Sequence, residues 1–537
     1  MNKNVVDPIA VYATYSDIFG QKYDKGRLIE IIKALPLGGI FTILSQLNSI
    51  EIENARIRKN YFSYITLNIP NSTFILEKYK DRILYTPQGL LTIWKWLFVY
   101  GDFDKINDEI NIDHGINLIL YLHLIISDYL YDVNDNKDLV YDFFSNMNFN
   151  SQQDVGSSMA RACVIYDEIS KEDHLFNSKE YIDISRAFME KYGYSIKEFV
   201  AIIFAILTSF INKREIISPS AGINLEKFSL FSPIEKIESI LMSLSVDIDT
   251  IKNWSLENID NSWNFQLFRE KPLLRLDNGI FLSISLSFLY EQIYNQLFFK
   301  IRECFSKDNT QIISFIGRCF EKYVERITEE ATRESQISYE LIKEFSFGND
   351  KSPDCMIRLG DKLLVIEAKS KRPKLDSLIN SNPDTIESDL INMIKHPLEQ
   401  LHNCMKKLYE KSHPVVHGVN EVYLMVVTQA TITALPPQIS EIYNEVMTLS
   451  GVPVKGLYHL DIEEYEWLLA ILSNKGAKPI FRILNNKNKL APYSSFKNFA
   501  LKGSYSRRRL SYINQKFLHH TIDFGKILVG EEWYGAE

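Results

Sequence analysis

The chain has 537 residues, more than one hydrophobic core usually organises, so two or three domains are expected. Hydrophobic residues at 46%, charged residues at 24% and aromatics at 12% argue against global disorder and predict compact folding. A formal net charge of −8 argues against a protein that coats nucleic acid non-specifically, so any phosphate contact must come from local basic patches.

Five cysteines (Cys163, Cys304, Cys319, Cys355, Cys404) are scattered, with no C-x-x-C pair and no histidine at zinc-finger spacing. Neither a disulfide framework nor a structural zinc site is expected, and a reducing cytoplasm fits best. The N-terminal run MNKNVVDPIAVYATYSDIF lacks the apolar h-region of a signal peptide, so export is not expected. The most apolar stretch, Phe199 to Ile211, falls short of the roughly 18 residues of a membrane span and reads as a buried core helix of a soluble protein.

Up to about residue 265 the apolar residues recur at helical spacing, as in Leu90, Leu91, Trp94, Leu97 and Phe98, or Ile116, Ile119, Leu120 and Leu124. Asn134 to Asp138 and Asn148 to Asp154 read as loops between helices. In PLLRLDNGIFLSI, near residue 272, Asp-Asn-Gly separates two short apolar runs and signals a hairpin. The reading therefore divides the chain into a mostly helical region over 1–268, an α/β domain with a mixed central sheet over 269–480, and an extension over 481–537. Within the second part a long helical pattern runs from Leu286 to about Thr332. Strand patterns follow in ISYELIKEFSF and SPDCMIRLGDKLLVIEAKSK, then a helix from about Asp384 to Tyr409 and a buried strand in EVYLMVVTQA.

If Gly360 and Asp361 form the centre of a tight hairpin turn, Leu359 faces Lys362, and stepping outward pairs Asp354 with Glu367. Side chains alternate with period two, so Asp354, Glu367 and Lys369 share one face. Two carboxylates and an amine at one end of a hairpin suit metal-assisted phosphodiester hydrolysis. Asp354, Glu367 and the carbonyl of Ala368 could hold magnesium, or manganese in its place, and Lys369 could orient the attacking water. An arbitrary E-x-K is more often a solvated edge pair; here the runs CMIRL and LLVI place the hairpin inside a sheet, where unpaired charge is costly.

The sequence Ser352-Pro353-Asp354 followed by Glu367-Ala368-Lys369 resembles the PD-(D/E)XK nuclease superfamily of restriction-endonuclease-like enzymes, over about residues 310 to 430. The resemblance implies a restriction-endonuclease-like core and a magnesium-dependent nuclease that hydrolyses DNA. It also implies a helix before the core that donates a further acidic residue. The run Gly317-Arg318-Cys319-Phe320-Glu321 resembles that helix and makes Glu321 a candidate metal or water ligand, although an ordinary helix glutamate has the same spacing. Some branches carry a glutamine on the helix after the motif and a tyrosine four residues later; Gln400 matches the first and is a candidate contact to the scissile strand or the metal water, or a plain capping or surface glutamine, whereas Cys404 stands where the tyrosine would be.

Lys371, Arg372 and Lys374 bring positive charge beside the motif, where a phosphate backbone would enter. A second basic run, Tyr505 to Tyr512, suits nucleic acid or an acidic partner, or is a plain surface loop. His396, His402, His413 and His417 match no two-histidine zinc spacing, and the chain lacks a phosphate-binding G-x-x-x-x-G-K-[ST] loop. The reading is a metal-dependent nuclease whose helical N-terminal region binds a partner, with bacterial defence implied by the resemblance. A scaffold that keeps the nuclease fold, or an enzyme that cuts RNA, remains open. A homodimer would supply two sites for two strands.

Overall fold

The computed structural model describes residues 12–49, 55–69, 72–130, 154–211, 217–218, 221–231, 233–380, 382–432, 434–503, 505 and 508–530. The fold is mixed α/β. Two compact units form, one from residues 1–137, 202–292 and 528–530, the other from 138–201, 293–527 and 531–537. Each is discontinuous in sequence, so the division differs from the expected linear one at 268 and 480: the hairpin after residue 272 belongs with the helical unit, and the described residues 154–201 belong with the second. The expected loops at 134–138 and 148–153 lie outside the described residues.

The first unit is built on helices, of which Pro87–Tyr100 is buried on every side from Gln88 to Phe98. Pro87–Tyr100 starts where the Thr86 side chain accepts from the Gly89 N–H and Pro87 presets φ, and it buries Leu90, Leu91, Trp94, Leu97 and Phe98. The Ile112–Ile126 helix buries Ile116, Ile119, Leu120 and Leu124. The small sheet of this unit comprises β1 (Ser245–Val246), β2 (Leu273–Arg275) and β3 (Phe281–Ser283), with β2 and β3 antiparallel. The Asp-Asn-Gly signal is used as read: Gly279 closes the turn at φ +76°.

The Phe199 run forms the Ile196–Phe210 helix, fully buried from Phe199 to Ile203. Among the described residues no single helix is long and apolar enough to cross a membrane. The pattern read as one helix from Leu286 to Thr332 is three: Leu286–Ile293, Asn295–Arg302 and Gln311–Glu334. Tyr294 leaves helical geometry at φ −128°, and Asn309 Oδ1 accepts from the N–H groups of Gln311 and Ile312 to start the last helix afresh.

The second unit carries a sheet ordered β10-β9-β8-β7-β4, from β4 (Glu340–Lys343), β7 (Cys355–Leu359), β8 (Lys362–Lys369), β9 (Glu421–Thr428) and β10 (Val454–Asp461). A small ribbon of β5 (Ser346–Phe347) and β6 (Asp350–Lys351) interrupts the run between β4 and β7. The pairs β4–β7 and β7–β8 are antiparallel; β8–β9 and β9–β10 are parallel. Met356, Leu363, Val365, Val422, Leu424, Val426 and Leu457 form one face of the sheet and pack on the helices between residues 383 and 447. The helix expected from Asp384 to Tyr409 is Pro383–Leu390 and His396–Glu410 joined by a π turn over Ile391–Lys395. Pro397 has no N–H to donate, and the wider turn absorbs the missing bond.

Candidate active site at the end of the β7–β8 hairpin

Gly360 sits at φ +62° while Asp361 keeps a negative φ, so the turn places its one positive φ on the glycine, as a II′ turn requires. Leu359 pairs with Lys362 and Cys355 with Ile366, the register read from the sequence. One step beyond the last pair, Asp354 stands opposite Glu367. Asp354 lies two residues from Met356 and Glu367 two from Val365, so period two puts both carboxylates and Lys369 on the helix-covered face, at its open end.

Backbone and side chains then lock the group together. Asp354 Oδ2 accepts from the Ala368 N–H at 2.7 Å, and Lys369 Nζ donates to Glu367 Oε1 at 2.6 Å. The Lys369 carbonyl accepts from the Gln429 N–H at 3.0 Å and therefore faces β9. Alternation turns the Ala368 carbonyl the other way, toward Asp354, where no strand claims it. Glu321 comes from the Gln311–Glu334 helix on the opposite face of the sheet, whose Thr328 hydroxyl lies 4.0 Å from Cys355 Sγ. Gly317 lets that helix come close: a Cβ there would lie 3.2 Å from Ser370 Oγ, at the end of β8.

The electrostatics tie the four residues into one cluster. Burial, then the charges of Glu367 and Glu321, raises the Asp354 carboxyl well above the usual range, against the pull of the Ala368 N–H and Lys369. Burial raises Glu321 too, while Arg318, 2.7 Å away, draws it down and Glu367 pushes it up. Burial alone would lower the Lys369 ammonium; the ion pair with Glu367 outweighs it and raises it. Three carboxylates crowded together, with side-chain exposures of 17% for Glu367 and 23% for Glu321, carry more negative charge than a partly dry site holds comfortably.

No family model matches this chain, and no curated protein or solved structure matches it. The site is therefore read from its own chemistry. Asp354, Glu367, Glu321 and the Ala368 carbonyl all offer oxygen, the donor that magnesium and manganese take, and three carboxyls set against two cations, Lys369 and Arg318, fit a divalent cation. Among the described residues no three His, Cys, Asp or Glu side chains converge at ligand distance. Lys369 rests on Glu367 and Arg318 on Glu321, so those two cations occupy the oxygens that a metal would take.

The remaining predicted residues distribute around this cluster. Lys371 donates to the Asn392 carbonyl at 3.1 Å and Lys374 to the Ser388 hydroxyl at 3.0 Å, and both are exposed. Arg372 turns inward, over the Phe298 ring at 4.7 Å. Gln400 is exposed on the His396–Glu410 helix, one turn before Cys404, whose thiol is pushed up to about 11 by burial and then by the Glu367 charge. In the Tyr505 to Tyr512 run, Arg507 lies outside the described residues, and Arg509 makes a bidentate pair with Asp154 at 2.8 Å. That arginine is engaged within the fold. The four histidines do not group: His402 is buried, His396 exposed, His413 stacks on Phe345, and His417 meets the Ser412 carbonyl.

Sequence reasoning passed over Arg318, although its spacing of three residues from Glu321 on a helix is a readable signal. It also passed over Gln429 and Tyr294, which reach the site only through the tertiary fold.

Proposed function

We propose that the second unit is a metal-dependent nuclease of the PD-(D/E)XK type, acting on DNA, with a restriction-endonuclease-like core. The observation that carries this reading is the hairpin register that brings Asp354, Glu367 and Lys369 to one face at the end of β8, with Glu321 in electrostatic reach. The sequence of elements, Gln311–Glu334 helix, β4, β7, β8, helix and β9, supports it.

Asp354, Glu367 and the Ala368 carbonyl would hold a magnesium or manganese ion, with Glu321 as a further ligand or a ligand to its water. Such an ion lowers the pKa of bound water and offsets the charge that builds on phosphorus. Ala368 fixes the Asp354 carboxylate through its N–H. Lys369, released from Glu367, orients the water and stabilises the developing oxyanion. Lys371 and Lys374 hold the incoming backbone by charge.

The test compares wild type with Asp354→Ala and Lys369→Ala on plasmid, linear duplex, single-stranded DNA and RNA, each with magnesium, manganese or EDTA. Cleavage that needs metal and is lost in both variants is the expected result. Equal cleavage by all three proteins would remove this site from the chemistry, and RNA cut in preference to DNA would change the substrate.

A further inference from the structure

Beside the carboxylate cluster lies a second set of polar groups that the proposed reaction does not use. Arg372, three residues beyond Lys369, spends one hydrogen-bonding arm on Asn295, with Nη1 donating to Oδ1 at 3.3 Å. Its Nε and Nη2 are buried and meet no acceptor at full hydrogen-bond geometry, although the Tyr166 hydroxyl lies close enough to feel the guanidinium. The Tyr294 hydroxyl and Gln429 Oε1 are likewise buried with no partner at full hydrogen-bond geometry, the Gln429 side chain lies within reach of that hydroxyl, and both residues are 2% exposed. Gln429 donates through Nε2 to the Tyr166 hydroxyl at 2.8 Å and through its backbone N–H to Lys369, so this pocket is anchored to the strand that carries the site. The Arg372 charge is felt at both phenols, opposing the upward push that burial gives Tyr166 and Tyr294.

The unfilled edge of Arg372 identifies its ligand. Nε and Nη2 are the side-on fork of a guanidinium, the pair that receives two oxygens of one oxyanion. The same chain fills that fork elsewhere: Arg161 uses Nε and Nη2 on Glu466, and Arg509 uses Nε and Nη2 on Asp154. A buried guanidinium fork left open is costly in a finished structure, so it fits a binding site better than a structural strut. The neighbouring lysines favour phosphate over an isolated carboxylate. Lys371 and Lys374 donate only to neutral oxygens and keep their charge for a polyanion.

We infer that Arg372, aided by the Tyr294 hydroxyl, receives the non-bridging oxygens of a phosphodiester flanking the bond that Asp354, Glu367 and Lys369 attack. This assignment rests on the nuclease reading for its substrate, while the oxyanion pocket itself does not. Phe299, which shares the cover of Arg372 with Phe298, is 47% exposed, so the cover reaches the surface.

The test uses the full chain as wild type, Arg372→Gln and Arg372→Lys. In EDTA, inorganic phosphate should raise the melting temperature of wild type and leave Arg372→Gln unmoved, with acetate inert on both. With metal and DNA, both variants should raise KM by about ten- to a hundredfold with kcat little changed, and Arg372→Gln should also lower the salt slope of binding by about one. Without ligand, Arg372→Gln should melt no lower than wild type, because it removes an open buried charge. Phosphate protection that depends on Arg372 in a protein that cuts nothing keeps the pocket and discards the nuclease. Metal-dependent cleavage with unchanged KM and salt slope in both variants overturns this inference, as does equal protection of all three proteins, protection by acetate, or a lowered melting temperature in ligand-free Arg372→Gln.

Discussion

Lys369 Nζ rests 2.6 Å from Glu367 Oε1, two residues back along the same face of β8. On the proposed reaction the pair would act as a unit: Glu367 holds the ammonium in the metal-free protein, and Lys369 would be available to the water once Glu367 served as a metal ligand. Glu367→Gln and Lys369→Ala should each lower kcat by about a hundred- to a thousandfold. The double variant should fall little further, because each single change already disables the step. Single-turnover rates for the three proteins check this; multiplicative losses would mean that the residues act independently.

Crowded carboxylates make a second expectation about metal and stability. Magnesium or manganese should raise the melting temperature of wild type in proportion to the logarithm of its concentration above Kd. Asp354→Asn should abolish most of that shift. In EDTA the same variant should melt at or above wild type, because it replaces a buried carboxyl whose ionisation burial and the Glu367 and Glu321 charges already oppose. Thermal melts with and without metal separate these effects, and an Asp354→Asn protein that still gains stability from metal would move the ion elsewhere.

Gly317 separates activity from stability. A methyl there meets Ser370 Oγ at 3.2 Å, so either that hydroxyl or the helix that carries Glu321 must give by a few tenths of an ångström. The Gly317→Ala exchange also gains helix propensity of about 1 kcal/mol. Stability should hold or rise slightly while cleavage falls severalfold, read by denaturant midpoints beside initial rates. A variant that loses stability and keeps its rate would show that the contact serves packing alone.

What the sequence could and could not convey follows from the range of each interaction. The β7–β8 register was legible because Gly360 fixes the turn and alternation fixes the faces, both within a few residues. The break at Tyr294 was not, because nothing in local composition distinguishes it from the helical residues on either side; its ring instead joins Tyr166 and Arg161, far off in sequence. β10 was missed because Lys455 and Gly456 blur the strand pattern, and its pairing with β9 slips between Val454 and Gly456. The basic run after Lys369 was legible as charge, yet only the fold turns Arg372 inward and leaves Lys371 and Lys374 outside.

Acid should weaken the second unit through Glu168. Burial would raise its carboxyl, but the His520 ring 3.1 Å away and a hydrogen bond from Lys516 at 2.6 Å hold it at about 2. A carboxyl whose folded pKa lies below its unfolded value of about 4.3 adds stability above that value. The contribution disappears as pH falls from there through about 2. Glu168→Gln should therefore be less stable than wild type at pH 6 and converge with it near pH 2, measured by urea midpoints across that range. Parallel curves for the two proteins would place the acid sensitivity elsewhere.

The pair of Arg161 and Glu466 is buried, with side-chain exposures of 1% and 7%, and is bidentate at 2.7 and 2.9 Å. Tyr323, two residues past Glu321 on the same helix, donates to Glu466 Oε1 at 2.6 Å. Removing one charge leaves the other dry and unpaired, so Arg161→Met or Glu466→Leu should each cost about 3–5 kcal/mol. The double variant removes both charges and should recover most of that loss, short of about 1–3 kcal/mol for the Tyr323 hydroxyl that then lacks an acceptor. Adding Tyr323→Phe should restore the remainder. Denaturant unfolding of the five proteins tests the sequence of losses and recoveries; a double variant as unstable as the sum of the singles would mean that each side chain contributes by packing and not through the pair.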